Sequence, residues 1–536
     1  MTTHARQVRQ IASAAGIVSL ATLVSRALGF VRDMAIAWLF GAGMLADAFF
    51  AAFRIPSTLR ELLGEGALSA AFIPTFTRTA TREGRQAAWD LAAAVLGTLV
   101  VVLAGVTLLG VILAPGIVQL LAPGFADIPG KASLTVQLLR VMFPYIFLVG
   151  LAALFMAILN SLGHFLTPAL SPTILNLTMI GAAVLIAPHA SNPVLPLAIA
   201  VLVGGAGQLL VQVPAAWARG WRLRLRLAPR DPGLREIARL MAPGVAGLAV
   251  TQVNVFVGTL LASLLPQGSV AALTYAFRLV QFPIGVVGVA IATGALPVMA
   301  ASIARERVDE MKAALQSSLR LAFFMTLPAI VGLIVFRLPI LHVLFERGAF
   351  TRPVTVLTAE ILAGYAVGLT FYVGNRILTP AFYALHDTRT PVLTGMVAVA
   401  VNILASVLLM GPVGVTGLAL ATAVASGCNF LLLFACLRRR IGLLGGRGVL
   451  RAATRVALAC VPMAAWGILA QRWWDVLGAR GIQGTALLCG ELLMAAAIFA
   501  ASAAALGCEE LGWGLGLLRR GRGGRAASSG IFGIFG

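Results

Sequence analysis

Long apolar runs dominate this sequence and restrict it to very few folds. A helix rises 1.5 Å per residue, so roughly 20 apolar residues cross a hydrocarbon layer about 30 Å thick. Runs of that kind lie near residues 11–40, 44–63, 87–115, 134–158, 166–188, 193–218, 237–265, 270–300, 315–346, 355–384, 390–410, 413–437, 450–471 and 484–506. Inside a bilayer every backbone N–H and C=O must be satisfied within the protein, which leaves helices and closed barrels. Unalternating runs of this length read as helices. The expected fold is therefore an all-α polytopic membrane protein with fourteen transmembrane helices. Only 11% of the 536 residues are charged, against about 25% in soluble domains, so most of the surface must face lipid.

The formal net charge is +21, which in a soluble chain would suggest a nucleic-acid partner. Threading fourteen spans with both termini inside places 26 cations on one face. They include Arg78, Arg82 and Arg85, the run from Arg219 to Arg239, the cluster from Arg438 to Arg455 and the tail from Arg519 to Arg525. The other face receives five: Lys131, Arg347, Arg352, Arg472 and Arg480. Cytoplasmic loops carry such an excess. The charge thus orients the chain and meets anionic membrane lipids, and no nucleic acid is expected. Arg26 and Arg32 interrupt the first apolar run, so it does not read as a cleavable signal. Cys428, Cys436, Cys460, Cys489 and Cys508 lie in or beside the late runs without a C-x-x-C pair, and read as apolar filler.

The chain also echoes itself. Ala52-Phe53-Arg54-Ile55 returns as Ala276-Phe277-Arg278-Leu279 at an offset of 224. Leu162, Thr167-Pro168 and Leu170 return as Leu385, Thr390-Pro391 and Leu393 at 223, and Gly66-Ala67 returns as Gly294-Ala295 across a small gap. Six spans per copy is an even number, so both copies keep one orientation. This predicts two six-helix lobes as a parallel tandem repeat plus two C-terminal helices. The expected units are an N-lobe over 1–218, a basic cytoplasmic linker over 219–235, a C-lobe over 236–440, a final helix pair over 441–506 and a basic tail over 507–536. Parallel repeats occur in transporters whose site lies between the halves.

Several charges stand where lipid should exclude them. A charge at the bilayer centre costs about 2.5–3.5 kcal/mol on insertion scales. Arg140, Arg320, Arg337 and Arg376 are among these charges. Arg320 and Arg337 have a bland reading as side chains near span ends that snorkel to headgroups, and Arg140 lies within a few residues of a loop. The first two runs are denser: Arg26, Arg32, Asp33, Asp47, Arg54, Arg60, Glu61 and Glu65 fall within 40 residues. Arg278 joins them through the repeat. Arg26 and Arg32 are six apart, about 120° around a helix. They share a cavity only if it is wide or the helix bends at Gly29. Arginine presents a permanently charged planar fork that suits phosphate bidentately. A cavity lined by Arg26, Arg32, Arg60 and Arg278 would suit an anion with several oxygens, a diphosphate above all. Asp33, Asp47, Arg54, Glu61 and Glu65 fit gating or ion pairing, with Arg54 or Arg60 against Asp47 or Glu65 as the plainer alternative.

No catalytic machinery competes with a transport reading. Gly130-Lys131 lacks the rest of a phosphate-binding loop. His4, His164, His189, His342 and His386 have no metal spacing, and neither G-x-S-x-G nor H-E-x-x-H occurs. Neither an enzyme activity, a metal nor a cofactor is expected.

The run Ser25-Arg26-Ala27-Leu28-Gly29-Phe30-Val31-Arg32-Asp33, with Phe40-Gly41-Ala42-Gly43, Asp47-Ala48-Phe49-Phe50, Glu65-Gly66-Ala67 and Phe72-Ile73-Pro74, resembles the opening of the MurJ (MviN) family. Those are lipid II flippases of the MATE-like multidrug/oligosaccharidyl-lipid/polysaccharide exporter superfamily. Ala276-Phe277-Arg278-Leu279 with Phe282-Pro283, and Ala381-Phe382-Tyr383-Ala384 with Asp387-Thr388, resemble later blocks. The likeness covers roughly residues 10–440. It implies two lobes around a cationic cavity, a groove for the polyprenyl chain on the last two helices, and Arg26, Arg32, Asp47, Arg60, Glu65 and Arg278 as positions needed for flipping. It further implies alternating access driven by membrane potential, lipid II as the cargo, cell-wall synthesis proteins as partners, and a bacterial cytoplasmic membrane with both termini inside. Two departures are Phe277, where some relatives carry an acid, and Glu61, where some carry a base. The runner-up is an exporter of another polyprenyl-diphosphate-linked saccharide or a drug. A membrane-embedded glycosyltransferase or scaffold would need catalytic acids in a sizeable outer loop, which the sequence lacks.

Overall fold

A computed structural model describes residues 3–62, 68–477 and 481–513. Every regular element among them is helical. The chain divides into two compact units, Met1–Ala271 with Arg347–Phe350, and Ala272–Glu346 with Thr351–Gly536. In chain order the first carries α1 (Thr3–Phe40), α2 (Met44–Leu62), α3 (Leu68–Arg82), α4 (Arg85–Leu121), α5 (Lys131–Met142), α6 (Tyr145–Ser161), α7 (Leu166–Gly181), α8 (Leu195–Trp217) and α9 (Pro232–Ser263). The chain passes into the second within α10 (Ser269–Pro283), followed by α11 (Val289–Ala304), α12 (Val308–Val335), α13 (Arg337–Phe345), α14 (Arg352–Val367) and α15 (Leu369–Ala384). Then come α16 (Arg389–Val413), α17 (Val415–Ile441), α18 (Gly446–Leu477) and α19 (Gly481–Ala505).

Each of the fourteen apolar runs is occupied by helix, and among the described residues 11 helical segments are long and apolar enough to cross a membrane by length and composition. The runs near 11–40, 44–63 and 237–265 hold α1, α2 and α9, which are not among those 11. Four runs are divided between two α-helices. The chain turns at Pro144 between α5 and α6. A π-helical stretch, Ile284–Gly288, follows Pro283 and links α10 to α11. Phe336 separates α12 from α13, and Gly368 separates α14 from α15. Proline removes a helical hydrogen bond and crowds the preceding turn, which accounts for the first two breaks.

Within the first unit the helices approach closely through small residues. A Cβ on Gly204 of α8 would lie 2.6 Å from Thr178 Oγ1 of α7, and one on Gly205 would lie 2.6 Å from the Tyr145 ring of α6. Association in lipid relies on such small-residue contacts, because lipid tails are as apolar as leucine. Outward, α4 exposes Val101, Val102, Leu108, Leu109, Ile112 and Leu113, the surface expected against acyl chains.

A matching turn occurs in each unit. In the first, His164 precedes α7; its Nε2 lies 2.7 Å from Thr167 Oγ1, and its Nδ1 lies 2.8 Å from Arg219 Nη2 just beyond α8. In the second, Asp387 precedes α16 and takes hydrogen bonds from the Arg389 and Thr390 amides at 3.0 Å and from Thr390 Oγ1 at 2.7 Å. It also pairs with Arg440 at the end of α17. Gly163 and His386, one residue before each, both have positive φ, 74° and 57°. Each turn ties the start of one helix to the end of the next. Their chemistry differs. Nδ1 of His164 can accept from Arg219 only while the ring is neutral. Burial and then the Arg219 charge hold its pKa below the usual 6.5. The Thr390 amide and hydroxyl, with Arg440, hold Asp387 below 3.8.

A group whose folded pKa is depressed contributes stability that is lost as pH falls through the window below its unfolded value. The first turn should therefore loosen as pH drops below about 6.5 and the second only below about 3.8. Asp387→Ala removes a helix cap and is expected to cost about 1 kcal/mol, read as a lower thermal midpoint at pH 7 in detergent. An unchanged midpoint would show that Arg440 and Thr390 do not depend on it.

Candidate functional site

The charges flagged in the first two runs sit on α1 and α2, and the structure separates them into distinct environments. On α1, Arg32 is buried. Its Nε and Nη2 donate to Asp33 Oδ1 at 3.0 and 2.7 Å, and Nη1 donates to Asn176 Oδ1 of α7 at 3.2 Å. Asn176 Nδ2 in turn donates to the Ser25 carbonyl at 3.0 Å. Arg32 and Asp33 thus form part of a polar strut that joins α1 to α7. Arg26, two turns earlier, is exposed. A guanidinium there is open to an anion, whereas the fork of Arg32 is directed at two protein acceptors.

Asp47, in the first turn of α2, is almost fully enclosed. Its Oδ2 accepts from Lys131 Nζ at 2.8 Å and from the Gly268 amide at 2.7 Å, and Oδ1 accepts from the Ala271 amide at 2.9 Å. The Asp47 and Lys131 side chains keep only 1% and 2% of their surface. The ammonium also lies 4.0 Å from the Phe125 ring centroid. Burying two charges costs several kcal/mol per ion unless remaining lone pairs and protons are satisfied. Here the amides at the start of α10 supply that satisfaction, and a helix N-terminus favours a carboxylate.

The backbone closes tightly beside this pair. The Ala349 amide donates to the Trp38 carbonyl at 2.9 Å. Gly41 (φ 57°), Gly268 (φ 94°) and Gly348 (φ 57°) adopt left-handed conformations. A Cβ on any of them would collide with the carbonyl of Ala349, Ala42 or Trp38 respectively. These three positions need glycine for both reasons.

Farther along α2, Thr58 Oγ1 donates to Gln252 Oε1 at 3.1 Å, and Gln252 Nε2 donates to Glu61 Oε2 at 2.8 Å. Glu61 therefore bonds to α9. Arg54 and Arg60 are half-buried. Glu65 lies outside the described residues. In the second unit Arg278 of α10 is half-buried, with Nη1 donating to Gln281 Oε1 at 3.1 Å. Arg320 does not depend on headgroups: it pairs with Glu509 at 2.8 Å and Glu510 at 2.6 Å. Arg140 and Arg337 donate to the carbonyls of Val111 and Ile334.

The sequence reading missed three partners. Lys131 was counted with the scattered outer-face cations, although it is one of only two lysines in the chain. That scarcity was the available signal. Asn176 and Gln252 carried none, since uncharged amides in apolar runs look like ordinary variation. Glu491 of α19 was also overlooked: it is buried and accepts from Trp474 Nε1 of α18 at 2.6 Å. An open apolar groove of about 640 Å³, lined by Thr107, Val111, Pro144 and Phe147 among others, shares no residue with these polar groups. Among the described residues no group of three or more His, Cys, Asp or Glu side chains could hold a metal ion.

A family model described as lipid II flippase MurJ matches residues 36–481. A probable lipid II flippase MurJ of Rhizobium tropici is 37% identical over 502 residues, covering 92% of this chain and 93% of the relative. One from Vibrio cholerae serotype O1 is 38% identical over 425 residues, covering 78% and 81%. Among solved structures, lipid II flippase MurJ in an inward closed conformation matches with a TM-score of 0.75 at 25% identity, covering 91% of this chain and 97% of that one. An inward-facing multidrug resistance MATE family transporter of the MOP superfamily matches with a TM-score of 0.68 at 16% identity, covering 78% and 95%. That last likeness is one of fold alone.

Proposed function

The chain belongs to the lipid II flippase MurJ family, and from that premise we propose that it carries lipid II from the cytoplasmic to the outer leaflet of a bacterial cytoplasmic membrane by alternating access. The observation that carries this reading is the 37% identity to a flippase relative across 92% of the chain. In this reading α1, α2 and α9 also span the membrane, giving fourteen spans with both termini inside. The repeat makes two six-helix lobes, 1–218 and 236–440, joined by the basic linker 219–235. The matched turns at His164 and Asp387 support a common ancestry for the two halves.

Diphosphate is the part of the cargo that arginine suits. Arg26, Arg60 and Arg278 are the binding residues the geometry favours, because each keeps exposed surface. Arg32 is then a residue that holds the α1–α7 strut and releases to substrate only if Asp33 and Asn176 are exchanged for it. The acids divide likewise. Asp47 is a clamp on α10, Glu61 a tie to α9, while Asp33, Arg54 and Glu65 keep the gating role proposed for them. Helices α18 and α19 hold the polyprenyl chain, and cell-wall synthesis proteins are the proposed partners. Transport of this kind breaks no covalent bond, so no catalytic residue is assigned.

The test is complementation of a strain depleted of its own flippase. Expression of this chain is expected to restore growth and cell shape. Continued lysis at normal expression would favour export of a different polyprenyl-linked saccharide or a drug by the same fold.

A further inference from the structure

The segment between α8 and α9 serves the transport reading only as the linker between lobes, yet its pattern is regular. Residues 221–227 read Trp-Arg-Leu-Arg-Leu-Arg-Leu, and residues 221–228 form neither helix nor strand. All six side chains from Arg222 to Leu227 are exposed, and Leu223, Leu225 and Leu227 keep 64%, 61% and 68% of their surface. Single exposed leucines need no explanation, but a series of them does. Arginine and leucine alternate along the segment, so it exposes a cationic and an apolar series together.

The segment is fixed in place at both ends. The Arg226 amide donates to the Ala93 carbonyl of α4 at 3.3 Å, and a Cβ on Gly97 of the same helix would collide with the Arg226 carbonyl. Upstream, Trp221 is buried against Phe155, with ring centroids 4.9 Å apart. Arg222 donates to the Trp217 and Trp221 carbonyls at 3.1 and 2.9 Å, and lies 5.5 Å over the half-exposed Trp217 ring. Downstream, Arg226 and Arg230 line a surface pocket of about 570 Å³ with Ala228, Pro229, Asp231 and Pro232. The Asp231 carboxylate there is directed at the Gly233 and Leu234 amides, at 2.9 and 3.3 Å, where it caps α9.

We propose that this strap is a docking site for an anionic phospholipid, with the leucines in the acyl boundary and Arg224, Arg226 and Arg230 on the headgroup phosphate. An exposed tryptophan beside the strap fits the membrane–water boundary, where such rings concentrate. Arginines near an anionic surface each strengthen binding about fivefold, and the fork geometry suits a phosphate. The site stands apart from the transport reading and is tested without measuring transport.

Purified protein is placed in phosphatidylcholine nanodiscs containing a minor fraction of phosphatidylglycerol, and native mass spectrometry measures retention of the anionic lipid. Arg224→Gln/Arg226→Gln/Arg230→Gln is expected to weaken retention by tenfold or more, at about fivefold per arginine. Arg438→Gln/Arg439→Gln/Arg447→Gln, with equal charge loss elsewhere, should change it far less. Leu223→Ser/Leu225→Ser/Leu227→Ser keeps every charge and should also weaken it, which guards against an arginine triple that folds poorly. Equal losses in both arginine triples, or retention unchanged by the strap variants, would overturn the proposal. Displacement of the lipid by inorganic pyrophosphate would do so too, by showing a site for free phosphate.

Discussion

Asp47→Ala should lower stability by about 3–5 kcal/mol, the usual consequence of leaving one member of a buried ion pair without its partner. The substitution strands the Lys131 ammonium, 98% enclosed, and removes the acceptor of the Gly268 amide just before α10 and the Ala271 amide in its first turn. Lys131→Met should cost less, because the carboxylate keeps both amides. Asp47→Asn/Lys131→Met should regain part of the loss, since an uncharged pair of similar shape needs no charge compensation and the asparagine oxygen still accepts from an amide. Thermal and denaturant unfolding of the purified variants in one detergent would read all three. Asp309→Ala, an exposed acid on α12, is the control. If Asp47→Ala unfolds no more readily than Asp309→Ala, the clamp contributes nothing of consequence. A clamp of this kind also has a functional side, since it holds α2 to the start of α10, the helix that carries Arg278. Stability and transport should therefore fall together for Asp47, but not for an arginine that only binds cargo.

The second large effect is on transport alone. Arg278→Ala and Arg26→Ala should each reduce flipping by roughly thirtyfold or more. Truncating one partner of a desolvated charge pair costs about 2–5 kcal/mol, and every 1.4 kcal/mol is about tenfold. The lower end applies, because both side chains keep exposed surface. Folding should change little. Arg278 is half-buried and donates to Gln281 within its own helix, and Arg26 lies on an exposed face of α1. Lysine at either position should restore only part of the activity, since an ammonium cannot grip two phosphate oxygens in one plane. Arg32→Ala is expected to behave differently again. It leaves Asp33 buried without its guanidinium and breaks the strut through Asn176, so it should lower both thermal stability and flipping. The contrast between Arg26 and Arg32, six residues apart on one helix, separates cargo binding from scaffold by measurement.

The fold could be read far in advance because membrane insertion is governed by length and apolarity, both visible in sequence. Boundaries between pieces were less legible. Pro144 and Pro283 interrupt long apolar runs, yet proline also occurs inside continuous helices here, as Pro115 does in α4; whether it breaks a helix depends on neighbouring packing. The three weaker runs, at α1, α2 and α9, are those where apolarity alone gives least support.

The candidate site was half legible. Charged residues in apolar runs stand out, which makes Arg26, Arg32, Asp47, Arg60 and Arg278 candidates from sequence alone. Their partners are not, because pairing is a tertiary property. Lys131 lies 84 residues from Asp47, and Asn176 lies 144 from Arg32. The sequence offered Arg54 or Arg60 as the counter-ion of Asp47, whereas the structure supplies Lys131 and two backbone amides. The matching turns at His164 and Asp387 hid behind unlike residues. Only their shared threonine and arginine partners reveal that they do one job in two chemistries.

The most direct test of the central claim is the accessibility of lipid II at the outer face of cells depleted of their own flippase, compared between this chain and its Arg278→Ala variant. The chain is expected to restore outer-face lipid II to the level of undepleted cells, and Arg278→Ala, expressed equally and folded, to leave it near the depleted level. Outer-face lipid II that stays at the depleted level with the unaltered chain would contradict the assigned cargo. Full restoration by Arg278→Ala would contradict the role given to that arginine.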